Sequence, residues 1–73
     1  MENYKEWYSV ELDEDTAEIF RHYLREQGIK FEPSSAWNLI HFECYMTNKE
    51  RKEANDFLKG VVPKRYYLTS VIR

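Results

Sequence analysis

Between Asn38 and Met46 the residues fall into two alternating series, Ile40, Phe42, Cys44 and Met46 on one side and Leu39, His41, Glu43 and Tyr45 on the other. Side chains alternate across a strand, so a period of two with one wholly apolar series predicts a central strand with one face in a core. The second series mixes apolar bulk with a His and a Glu and must meet water or a partner. The same period recurs from Tyr4 to Leu12, with Tyr8, Val10 and Leu12 inward and Trp7, Ser9 and Glu11 outward. It returns briefly over Ile29 to Glu32. There Pro33, which has no amide to donate, is expected to close an edge strand ahead of a turn through Ser34, Ser35, Ala36 and Trp37.

Two stretches change period. Ala17, Phe20 and Leu24, flanked by Ile19 and Tyr23, lie on one helical stripe, and Gly28 suits a left-handed C-terminal cap, which predicts a first helix from about Thr16 to Gln27. Asp15 and Glu18 have the spacing of a capping box at its start, and the surrounding acids suit the positive end of the helix dipole. The opposite face carries Glu18, Arg21, His22, Arg25 and Glu26, with Glu18 and His22 spaced to pair. A second capping box, Thr47 to Glu50, opens a helix whose stripe is Ala54, Phe57, Leu58 and Val61, with Gly60 expected to close it. After Pro63, the segment from Arg65 to Ile72 is rich in strand formers, with apolar residues in both series (Tyr66, Leu68 and Ile72; Tyr67 and Val71). Residues 61–73 are therefore either a fourth strand or a tail that pairs with a partner.

Strand, helix, strand, strand, helix and strand is the βαββαβ order, and it resembles the split βαβ arrangement of ferredoxin-like domains. That resemblance implies an α+β fold: an antiparallel sheet, strands one and three in its middle, and two helices on one face. The opposite face would then display Trp7, Ser9, Glu11, Leu39, His41, Glu43 and Tyr45. The name denotes a fold only, because the cysteines that would ligate an iron–sulfur cluster are absent and no cofactor is expected.

Seventy-three residues suit a single domain, 1–73, with thin stability, since a chain this short hides only about 60% of the surface its unfolded form exposes. Cys44 is the only cysteine, so no disulfide can compensate within the chain, and a reducing setting is expected. The opening residues lack the pattern of a signal peptide, and the apolar runs are far below the roughly 20 residues of a membrane span, which predicts a soluble, cytoplasmic protein.

The net charge of −2 disfavours dedicated nucleic-acid binding, which needs a basic surface. Its distribution is polar: ten acids against four bases up to Met46, three acids against seven bases from Thr47 onward. Such asymmetry bears on association rather than on fold.

Catalytic chemistry finds little support. Cys44 and His41 are three apart on one strand, so they point to opposite faces, and Cys44 is expected to be buried rather than a nucleophile. His41 and Glu43 share a face without a third member to complete a site. The acids around Asp13 lack calcium-loop spacing, so no metal is expected. The chain is accordingly read as non-enzymatic.

Trp7 and Tyr45 on neighbouring strands resemble the stacking platform of RNA-recognition domains. However, Leu39 to Tyr45 holds no Gly, and Glu43 would repel phosphate. The expected function is a small protein-interaction or regulatory module. Its interaction face is Trp7, Leu39, His41, Glu43 and Tyr45, with Tyr66 and Tyr67 contributing, and its partner is a second copy in a homodimer, another protein, or both. The alternatives are single-stranded nucleic acid bound on that face, with Lys64 and Arg65 on phosphate, or a small ligand sensed at a dimer interface.

Overall fold

Strand β1 (Lys5–Leu12) pairs antiparallel along its whole length with β3 (Leu39–Thr47), in a register that sets Lys5 opposite Thr47 and Leu12 opposite Ile40. This pair is the spine of a computed structural model that describes residues 4–61 and 66–71. On the far side of β3 lies β2 (Lys30–Ala36), and on the far side of β1 lies β4 (Thr69–Ser70), giving the sheet order β2-β3-β1-β4. Helices α1 (Glu14–Glu26) and α2 (Asn48–Val61) complete the order βαββαβ. The fold is the ferredoxin-like α+β arrangement expected from the alternation of the strands.

The inward series is also as expected. Tyr8, Val10 and Leu12 from β1 and Phe42, Cys44 and Met46 from β3 are buried with Ala17, Phe20 and Leu24 of α1 and Ala54 and Leu58 of α2. The Phe42 ring meets Phe20 edge-on at 5.6 Å and Phe31 at 5.8 Å, which ties both central and edge strands to α1. Tyr23 stacks on Phe57 at 4.2 Å and joins the two helices. Burial pushes the Tyr23 hydroxyl's pKa up, reinforced by the charges of Glu53 and Glu50.

Local structure differs from the sequence reading in four places, three of them boundaries of elements and one a side-chain pairing. The N-cap of α1 is Asp13, not Asp15: its backbone is extended and its Oδ1 accepts from the Thr16 amide at 2.8 Å. The helix thus starts two residues earlier, because Thr16 is itself a buried residue of the inward face. Glu18 pairs with Arg21 rather than with His22, and that guanidinium holds the Glu18 carboxyl below its usual pKa range.

Strand β2 does not stop at Pro33 but runs through it to Ala36. Pro33 sits opposite Phe42 on an edge strand, where a missing amide donor costs no ladder bond. The turn is accordingly only Trp37 and Asn38.

Gly60 lies inside α2, which continues to Val61. Gly28, by contrast, caps as expected. At φ 69° it follows the C-cap Gln27, its amide donates to the Arg25 carbonyl at 3.1 Å, and the Ile29 amide reaches the Leu24 carbonyl at 3.0 Å. These are the two bonds of a Schellman motif, with buried Ile29 and Leu24 supplying its apolar contact. The Thr47 and Glu50 box forms reciprocally at the start of α2, Glu50 Oε1 accepting from the Thr47 amide at 2.9 Å and Thr47 Oγ1 from the Glu50 amide at 3.1 Å.

Among the described residues of the tail, Thr69 and Ser70 form a fourth strand paired within the chain. Ser70 lies opposite Tyr8 and Thr69 opposite Ser9, and the Val71 amide donates to the Trp7 carbonyl at 3.0 Å. Lys64, Arg65 and Ile72 lie outside the described residues.

Candidate functional site

Both helices pack on the face that carries Phe42, so the other face of the sheet is left without a covering element among the described residues. The pairing register arranges its side chains in rows across the strands. Lys5 is level with Thr47; next come Trp7, Tyr45 and Lys30; then Ser9, Glu43 and Glu32; then Glu11, His41 and Ser34; and last Leu39 at the hairpin end. The five open-face candidates from β1 and β3 therefore do share one surface.

The second row is an aromatic pair between two cations. Trp7 and Tyr45 are direct cross-strand partners with ring centroids 5.2 Å apart at a 40° tilt. Lys30 places its Nζ 5.9 Å from the Trp7 ring, and Lys5 lies at the same 5.9 Å from the Tyr45 ring. A cation over an indole or phenol face is held by the ring quadrupole and also covers apolar surface with its stem. Lys5 shares the parity of Trp7 along β1, but the periodicity of β1 and β3 could not reveal Lys30, whose contribution depends on which residue of β2 falls opposite Tyr45.

The opposite end is acidic. His41 stands between two carboxylates, its Nδ1 3.9 Å from Glu11 Oε2 and its Nε2 3.5 Å from Glu43 Oε2. Glu32 lies directly opposite Glu43 in the β2–β3 register. The face thus grades from positive at the Lys5 end to negative at the Glu11 end.

Two candidates lie elsewhere. Tyr66 packs against the core cluster, and Tyr67 borders a groove with Lys52, Asn55, Asp56 and Lys59 of α2, so neither belongs to the open face. The alternation that placed them there assumed a full-length last strand, whereas only Thr69 and Ser70 join the ladder.

Cys44 is fully buried on the covered face, opposite in parity to His41, and burial pushes its pKa up to about 12. A thiol so raised is not a nucleophile at neutral pH. A separate cleft of about 230 Å³ opens between α1 and the β2 edge, floored by Ala17, Pro33, Ile40 and Phe42 and rimmed by Glu14, Glu18 and Arg21.

Compared with protein-family models, curated proteins and solved structures, the chain matches none. No helix of the described residues is long and apolar enough to cross a membrane.

Proposed function

We propose that this chain is a small non-enzymatic interaction module that works through its open sheet face, in a reducing, cytoplasmic setting. The observation that carries this reading is the Trp7–Tyr45 pair. Two large aromatic side chains lie side by side, 5.2 Å apart, on a face that no described element covers, with Lys5 and Lys30 at their rims. Interface cores are enriched in Trp and Tyr, and rims are charged. Apolar surface rimmed by polar residues is a recurrent mark of interaction sites.

The cations beside the rings also suit single-stranded nucleic acid, whose bases stack on aromatic platforms. Glu11, Glu32 and Glu43 on the same face oppose a phosphate backbone and favour a protein partner.

A photoreactive phenylalanine analogue at Tyr45 tests the reading against a control at Ile19, which is exposed on α1. The expected result is a protein adduct of defined stoichiometry from position 45 and none from position 19. A nucleic-acid adduct from position 45 would favour the stacking alternative, and equal yields from both positions would defeat the proposal.

A further inference from the structure

We infer that the occupant of the open face is a second copy of this chain, packed face to face about a twofold axis that runs between the two sheets at right angles to the strands. This rests on the reading of that face as the interface and adds the partner and its arrangement. The argument is the order of charges along the strands.

Rotation about such an axis reverses strand direction but keeps each strand over its own counterpart, β1 over β1 and β2 over β2. With the axis between the Trp7–Tyr45 row and the Ser9–Glu43 row, the second row of one copy lies over the third row of the other, and the first over the fourth. Lys5 then stands over Glu11 of the second copy, and Lys30 over Glu32 of the second copy. Trp7 covers Ser9 and Tyr45 meets Glu43. Each pairing occurs twice, so the cations of both faces are matched by carboxylates while the four rings are buried. Sheets that pack face to face lie roughly 10 Å apart and stay within about 30° of aligned, a gap that a Lys and a Glu reaching from opposite sides can close.

Other twofold arrangements fit worse. An axis parallel to the strands sets like rows on like rows, so neither lysine meets a carboxylate and the row of Glu43 and Glu32 faces itself. Moving the perpendicular axis onto the third row places Glu32 and Glu43 against their own copies. Like charges brought together at an interface suppress a pairing, so the gradient selects one register.

Sedimentation equilibrium at micromolar concentration tests the inference through charge reversal. The unmodified chain should be dimeric. Lys5→Glu with Lys30→Glu makes one face wholly acidic, and Glu11→Lys with Glu32→Lys makes another predominantly basic; each variant alone should self-associate at least tenfold more weakly. An equimolar mixture of the two should regain the dimer, because every Lys–Glu pairing is restored with its sign reversed or intact. All four positions are exposed, so circular dichroism should show both variants folded.

A carbodiimide cross-link between Lys5 and Glu11 gives a second readout on the unmodified protein. Six residues along one strand separate these side chains by about 20 Å, so a zero-length bond between them must join two molecules. A monomeric parent chain, or a dimer that lacks this cross-link and whose reversed variants fail to recover on mixing, would overturn the inference. A monomer whose position-45 probe still captures a different protein overturns the second copy alone; a probe that captures nothing overturns the interface reading as well.

Discussion

Asn55 on α2 accepts the backbone amide of Leu68 through its Oδ1 at 2.9 Å, thirteen residues along the chain. In an antiparallel ladder every second amide turns away from the neighbouring strand. The Val71 amide donates to Trp7, so the alternation carried back to Leu68 turns its amide away from β1, to the outer edge of the sheet. Asn55 supplies the acceptor there, while the Leu68 side chain is 2% exposed and closes the core beside α2. The short β4 is thus anchored from both sides, by two ladder positions on β1 and by one side chain on α2.

Asn55→Ala should cost about 1–3 kcal/mol, because it leaves a largely buried donor without a partner. Amide exchange at Leu68 to Val71 should accelerate more than exchange in the β1–β3 pair, since the anchor and not the spine has been removed. Asn55→Asp, which retains an acceptor, should lose less in urea denaturation. Equal exchange at both places would show that β4 is held by something other than this bond.

Phe42 is 1% exposed and touches rings from α1 and β2, so Phe42→Ala should lose about 3–5 kcal/mol. That is a large part of the stability a domain of this size possesses, and the variant should melt far below the parent or not fold. This residue also shows how the fold was readable from sequence. Alternation around Phe42 and the helical stripe through Phe20 each name a buried face, and only one stacking of the elements lets both faces meet. The open face was readable by the same parity for Trp7, His41 and Tyr45. Lys30 and Glu32 were not, because their place depends on the β2–β3 register, and that register was set by a turn two residues long at Trp37 and Asn38 rather than by Pro33. Tyr66 and Tyr67 were misplaced because period two says nothing about where a strand starts.

Cys44 gives a pH dependence of defined sign. Its folded pKa of about 12 lies above the reference value of 9.0, so the neutral thiol is favoured in the fold. The resulting stability is fully present below pH 9 and is lost as pH rises toward 12, at up to about 1.4 kcal/mol per pH unit. Cys44→Ala should be less stable than the parent at pH 7, where it leaves a small void, and the gap should narrow from pH 9 upward. Urea midpoints measured for both proteins from pH 7 to pH 10.5 would show it. Parallel curves would mean that the thiol is not desolvated, and a maleimide should then label it as fast in buffer as in denaturant.

Trp37 is the last element open to test. It is fully exposed, with 102% relative accessibility, yet it holds φ 58° at the first position of the hairpin turn between β2 and β3. A bulky L-residue in that region costs roughly 1–2 kcal/mol, and a two-residue hairpin with positive φ at its first position alone is a type II′ turn, which normally places Gly there. Glycine removes the steric penalty but adds freedom to the unfolded chain worth about 0.5–1 kcal/mol. Trp37→Gly should therefore leave stability unchanged or raise it by up to about 1 kcal/mol, although the whole indole is lost. Trp37→Ala keeps a side chain at positive φ and should be the less stable of the two variants. The comparison belongs in dilute solution, by thermal or urea denaturation. If Trp37→Gly instead loses more than about 1 kcal/mol, the indole is packed in solution, and a concentration dependence of that loss would place it against a second molecule.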